Sequence, residues 1–229
     1  MRAALRAAAG LFDAVSTAGP RRPRVAVFGD LYVRDNDVMN QGLLRAIEEA
    51  GGEAITTPYT DYVRIIAAPY FRKWQRAGLW GRAVAFRALW LFVDSIGGGV
   101  RRPFARFLDP EPRFDDRDSE RFVAAFGLRD EHEGESFDNL LKVHHLAQAH
   151  PGLALFVQAS PAFCCPSLVT EGMARDIERL TGVPVVSVTY DGTGASMNHV
   201  IVPYVKYPRR TGPARLDPAA VVTYPRPCP

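Results

Sequence analysis

Three short polar stretches, each following an apolar run, carry the residue types that could do chemistry. The first is Gly29-Asp30-Leu31-Tyr32-Val33-Arg34-Asp35-Asn36-Asp37. The second is Ala159-Ser160-Pro161-Ala162-Phe163-Cys164-Cys165-Pro166, and the third is Tyr190-Asp191-Gly192-Thr193-Gly194. The adjacent thiols are the most informative. Pro166 suits the first position of a helix, where a missing N–H costs nothing. Cys164 and Cys165 then stand at the positive end of a helix dipole, which favours a thiolate or an anionic cluster. Two small buried hydrophobes, a vicinal redox dithiol, and thiolate ligation of iron or zinc all fit these residue types. Adjacent cysteines rarely close a relaxed disulfide, which disfavours the dithiol. Asp30, Asp35 and Asp37 could hold magnesium with a phosphorylated ligand. Acids after a strand also cap helices and form turns, and that reading is preferred, leaving Arg34 the more interesting residue of its loop. His144 and His145 read as ordinary helical residues.

The elements that must position these stretches follow from the hydrophobic pattern. Arg24–Gly29 (RVAVFG) and Glu53–Thr57 (EAITT) read as strands around a helix at Asn40–Ala50, which Gly51 and Gly52 close. Leu153–Gln158 and Val183–Thr189 read as strands around a helix at Ser167–Leu180, and Val200–Val205 as a last strand at the edge. Another helix is expected over Ser136–His150, with Leu140, Leu141, His144 and Leu146 buried. Alternating strands and helices imply an α/β fold with a parallel sheet wrapped by helices, in the order 2-1-3-4. Ligands of such sheets sit outside the carboxyl ends of the strands, so the three polar stretches are expected on one rim. The chain then divides into a leading amphipathic helix (1–22), an α/β domain (23–207) and a Pro-rich, extended tail (208–229). The α/β domain holds a helical insertion at about 62–138, broken near Pro69, Gly78, Gly81 and Gly97–Gly99.

Charge is spread unevenly. Asp61–Leu108 holds nine Arg or Lys against two acids, and Asp109–Asp138 holds eleven acids against four Arg. These read first as solvated surfaces and second as a basic face for an acidic or phosphate-bearing partner. No nucleic-acid motif accompanies the arginines. The apolar stretch Leu79–Ile96 is interrupted by Arg82, Arg87 and Asp94, which argues against a membrane span. Three cysteines do not make a disulfide framework, so the chain reads as cytoplasmic and reduced. The aromatics Tyr70, Phe71, Trp74, Trp80, Phe86, Trp90 and Phe92 of the insertion suggest either a closed helical core or an interface.

Several runs together resemble the 2-hydroxyacyl-CoA dehydratase family, and more closely its activase-related and double-cubane branch. They are RVAVFGDLYVRDNDVMNQ, GGEAITTPYTDY, LFVQASPAFCCPSLVTEGMARDIERLTGVPVVSVTYDGTG and VIVPYVKY. The resemblance covers about Arg24–Thr57 and Ser136–Tyr207. It implies a nitrogenase-like, Rossmann-like three-layer fold that carries part of a 4Fe-4S or double-cubane iron–sulfur cluster. Electrons would come from an ATP-dependent activase. The FCCP loop then becomes the cluster-binding element, with Cys165 first and Cys164 second as ligands. Asp30, Arg34, Asp35, Asn36, Ser160, Phe163, Tyr190 and Asp191 form the rim of the site. The third cysteine, Cys228, lies in the Pro-rich tail, so the resemblance implies that a cysteine-bearing dehydratase-like partner chain completes the ligand set. The alternatives are a cluster-less interaction or scaffold domain, a truncated copy, and a magnesium-dependent enzyme using the Asp30–Asp37 loop.

Overall fold

The computed structural model describes residues 1–17, 19–108, 116–128 and 134–209. The tail beyond residue 209, with Cys228, and most of the expected linker Asp109–Arg117 lie outside the described residues. In chain order the elements are α1 (Arg2–Asp13), β1 (Arg24–Gly29), α2 (Leu31–Asp35), α3 (Leu43–Glu49), β2 (Glu53–Thr56), α4 (Tyr59–Arg76) and α5 (Trp80–Arg101). After a 3-10 turn at Arg102–Phe104 come α6 (Asp116–Ala124), α7 (Glu135–Ala149), β3 (Leu155–Pro161), α8 (Cys165–Gly172), α9 (Ala174–Thr181) and β4 (Val185–Tyr190). A 3-10 turn at Asn198–Ile201 leads into α10 (Val202–Lys206).

Contacts divide the chain into two compact units. One comprises 1–21 with 58–112, and the other comprises 22–57 with 113–229. The second unit is α/β, with a four-stranded, all-parallel sheet in the order β2-β1-β3-β4, the order the sequence pattern predicts. Val25 and Val27 of β1 and Leu155, Val157 and Ala159 of β3 point to one face. There they pack with Leu43 and Ile47 of α3 and with Ile201 and Val205. The intervening Phe28 and Phe156, both fully buried, meet edge to face at 6.1 Å. This alternation is the period-2 signature of a sheet covered on both sides.

Two sequence expectations change here. Val200–Val205 is not a strand but the end of a 3-10 turn and the start of α10. Pro203 has no N–H for a ladder and sits instead in the first turn of the helix. Ile201 and Val205 are four residues apart and so reach the core from one face. The expected insertion of about 62–138 also divides differently. The segment from 113 onward, with α6 and α7, groups with the sheet, whereas 58–112 groups with the leading helix. Smaller differences lie in the helices. The single helix expected at Ser167–Leu180 is two, α8 and α9, and α4 and α5 run unbroken through Pro69, Gly81 and Gly97–Gly99. Gly78, in a left-handed conformation, makes the one break between them.

In the first unit, Phe71 and Trp74 of α4 pack edge-on against Phe86 of α5, and the Arg87 guanidinium lies 4.8 Å from the Trp90 ring centroid. Trp80 and Phe92 do not join this core and are 61% and 64% exposed. Among the described residues one helical stretch, Trp80–Phe104, is long and apolar enough to cross a membrane by length and composition.

Gly29 ends β1 at φ +110°, where a Cβ would lie 2.3 Å from the Ala159 carbonyl oxygen on β3. A side chain cannot fit without moving backbone. Gly29→Ala is therefore expected to destabilise the protein by roughly 2–4 kcal/mol in urea unfolding monitored by circular dichroism. A loss below about 1 kcal/mol would mean that the two strand ends separate easily.

Candidate functional site

The strands run parallel, so Gly29, Pro161 and Tyr190 end them on one edge of the sheet, and the three polar stretches leave from there. Backbone bonds tie them together. The Asp30 N–H donates to the Ala159 carbonyl at 3.0 Å and the Ala162 N–H to the Tyr190 carbonyl at 2.9 Å. Each stretch nevertheless uses its polar residues differently.

In the first stretch the acids act mainly as structure. Asp30 caps α2, its carboxylate accepting from the Val33 N–H at 2.8 Å. Asp35 takes both Nε and Nη2 of Arg34, at 3.0 and 2.6 Å. Arg34 is fully buried, and its Nη2 also donates to the Thr57 carbonyl at 2.8 Å, tying the β1 loop to the end of β2. A buried guanidinium is tolerable only with such charge-assisted partners. The Asn36 side chain accepts from the Val38 and Met39 N–H groups and shapes the turn.

The third stretch is also internally satisfied. The Tyr190 hydroxyl is buried, donates to Asn198 Oδ1 at 2.8 Å and titrates well above the ordinary tyrosine range because burial disfavours the phenolate. Asn198 Nδ2 reaches the Asn40 and Gln41 carbonyls, each at 3.0 Å, and Asn40 Nδ2 donates to the Val33 and Arg34 carbonyls, each at 2.9 Å. Asp191 is exposed. Hydrogen bonds from the Thr193 hydroxyl and N–H hold its carboxyl below the ordinary range and close a tight turn. Tyr190 therefore braces the rim, and Asp191 closes an exposed turn. Asn40 and Asn198, the residues that join the first and third loops, are missed by reading for charged or nucleophilic types.

The second stretch is the open one. Cys164 is half-buried at the N-cap of α8, and its Sγ accepts from the Ser167 hydroxyl at 3.3 Å; Cys165, the first residue of the helix, is exposed. Pro166 lies in the first turn, and its carbonyl accepts from Thr170 Oγ1 and from Ser136 Oγ. The Ser136 bond sets the start of α7 against the first turn of α8. Ser160 is buried at the end of β3. Phe163 stands at φ +63° and is 93% exposed.

Beneath this edge lies a residue that the sequence pattern did not single out. Lys142 of α7 is fully buried, with Nζ 3.0 Å from the Gly29 carbonyl and 3.0 Å from Asn139 Oδ1. Burial, and then the nearby Arg34 charge, lower its pKa to about 8, although Glu135, Asp138 and Asp30 oppose the shift. Glu135, at the start of the same helix, is pushed up by burial and by Asp30. The available signal was a lysine inside the apolar run Leu140-Leu141-Lys142-Val143, on a helix buried nearly all round. His144 is buried with its ring 4.9 Å from Phe122, an ordinary core position.

No group of three or more His, Cys, Asp or Glu among the described residues could hold a metal ion. The two thiols fit part of a cluster's ligand set and not a closed site. Comparison with protein-family models, with curated proteins and with solved structures finds no match to this chain.

The buried lysine has a pH consequence. Its folded pKa of about 8 lies below the unfolded 10.5, so between those values the unfolded chain binds more protons and stability rises with pH. Below about pH 8 both states are protonated and the full penalty, about 3 kcal/mol, is present. Lys142→Met should remove this rise, read as the difference between the two proteins in urea unfolding at pH 7.5 and pH 10. Parallel pH profiles would show that Lys142 reaches water in the folded state.

Proposed function

We propose that this chain is the thiol-bearing half of a shared iron–sulfur site. In this reading it is a nitrogenase-like domain lending Cys165, with Cys164, to a 4Fe-4S or double-cubane cluster that a companion chain completes. The observation that supports it is the condition of the loop around the thiols. A bulky residue held at positive φ is strained by roughly 1–3 kcal/mol. Phe163 bears that strain while exposed, and Leu168 and Val169 on α8 are exposed as well. A phenylalanine left in water forgoes roughly 1.5–3 kcal/mol of burial. Both terms are offset when a partner surface covers the loop, and the same surface would bring the missing ligands and exclude water from the thiols. The resemblance of the FCCP and YDGT runs to the 2-hydroxyacyl-CoA dehydratase family gives the partner its chemistry: a cysteine-bearing dehydratase-like chain served by an ATP-dependent activase. A cluster bound there would carry low-potential electrons. This chain's own part is to position two thiols at the Pro-led start of α8 and to present an apolar seal.

The chain purified alone without oxygen should hold little or no iron or acid-labile sulfide. Co-expressed with a cysteine-bearing dehydratase-like chain, it should yield a brown complex that Cys165→Ala bleaches or renders labile. Phe163→Asp should weaken that association while leaving the melting temperature of the free chain unchanged or raised. A stable, stoichiometric cluster on the isolated chain contradicts the proposal, as does an intact cluster in the Cys164→Ala, Cys165→Ala complex. A stable complex without iron favours an interaction domain.

A further inference from the structure

A second site, independent of the thiol loop, lies in the unit made by 1–21 and 58–112. That unit holds twelve Arg or Lys against five Asp or Glu. Arg2 and Arg6 are four residues apart on α1 and so share one face. Together with Gly99, Arg102 and Pro103 they line a cavity of about 470 Å³. Among the described residues, no acid lines it. Asp13, the only carboxylate of α1, is paired with Arg106, while Phe12 packs edge-on against Phe104 and tilted against Phe107. These contacts hold α1 against the 3-10 turn after α5 and thereby bring three arginines to the wall of one concavity.

Two features make this more than a chance gathering of surface charge. Like charges converging on one hollow repel, and among the described residues of the lining no carboxylate offsets them. Glycine in a helix interior also costs about 1 kcal/mol relative to alanine, yet α5 carries Gly97, Gly98 and Gly99 in succession. A Cβ added at Gly99 would meet no atom within 4 Å, so close packing does not require the glycine. Its effect is to leave the wall of the cavity open.

We propose that this cavity binds a phosphate group of the monoester or diphosphate type, held by Arg2, Arg6 and Arg102. Guanidinium forks match phosphate oxygens and retain their charge at any physiological pH. The phosphate can arrive on a diffusible molecule or as the headgroup of an anionic lipid. The exposed Trp80, Val84, Leu91 and Phe92 on α5, the helix that leads into Arg102, make the second source physically reasonable.

The full chain would be titrated with pyrophosphate by calorimetry at low ionic strength. It would also be floated with phosphatidylcholine vesicles containing or lacking phosphatidic acid. Saturable binding of either anion is expected, weakened at least about tenfold, or 1.4 kcal/mol, by Arg2→Gln, Arg6→Gln, Arg102→Gln together. Gly99→Leu should weaken binding by narrowing the cavity while keeping or raising the melting temperature, since leucine favours helix. Removing the same charge from exposed positions of the other unit, by Arg45→Gln, Arg175→Gln and Arg209→Gln, should leave binding unchanged. Pyrophosphate binding without vesicle binding supports the site with a diffusible ligand, and the reverse supports it with a lipid headgroup. Absence of both, or binding that survives Gly99→Leu and the arginine variant alike, overturns it.

Discussion

At the end of β1 two strands approach so closely that a single methyl group would strike backbone, and the rest of the rim is arranged around that approach. Gly29 makes it possible by having no Cβ and accepting a positive φ. Its carbonyl then turns away from the ladder and is met by the buried ammonium of Lys142, while the next N–H, that of Asp30, bonds back to Ala159. A carbonyl buried without a donor would cost on the order of 1–3 kcal/mol. The lysine on α7 thus satisfies the strand end at the expense of its own hydration, which is why its pKa falls. The position is the one where the crossovers part, β2 lying to one side of β1 and β3 to the other, and crevices of parallel sheets open there.

From that point the rim divides into a braced part and an exposed part. Arg34, Asn40, Asn198 and Tyr190 form a continuous set of buried hydrogen bonds joining the ends of β1, β2 and β4. Buried hydrogen-bond networks of this kind fix geometry. The loop after β3 is held at its base by Ala162 to Tyr190, Ser136 to Pro166 and Gln158 to Ser167, and presents Phe163 and Cys165 to solvent. The braced frame thus leaves the strained, apolar, thiol-bearing loop as the exposed part of the rim. Lys142 and Glu135 shift in opposite senses, but both shifts follow chiefly from burial, and Lys142 makes structural bonds to Gly29 and Asn139.

The parallel sheet and its order were legible because Arg24–Gly29, Leu153–Gln158 and Val183–Thr189 are short β-branched or aromatic runs, each followed by polar or Gly/Pro residues. The shared rim followed from topology alone. What local pattern could not reveal was tertiary. Val200–Val205 has the composition of a strand, yet Pro203 and the spacing of Ile201 and Val205 make it a helix against the core. Glu135–Ala149 looks amphipathic but is covered on almost every side, and that burial is what makes Lys142 unusual. Asp30 was legible as a helix cap, whereas the pairing of Asp35 with Arg34 was not. Tyr190 looked like a site residue only because the role of Asn198, eight positions later, is invisible in sequence. In the helical unit the aromatics suggested either a closed core or an interface; Phe71, Trp74 and Phe86 pack together, whereas Trp80 and Phe92 remain outside that packing.

The central claim, that Cys164 and Cys165 are held ready for a ligand shared with another chain, is tested most directly by thiol alkylation followed by mass spectrometry. In the free chain Cys165 should react faster than the half-buried Cys164. In the iron-containing complex both should be protected and should become reactive again when the iron is chelated. Rapid alkylation of both thiols in a complex whose iron content does not change would contradict the account.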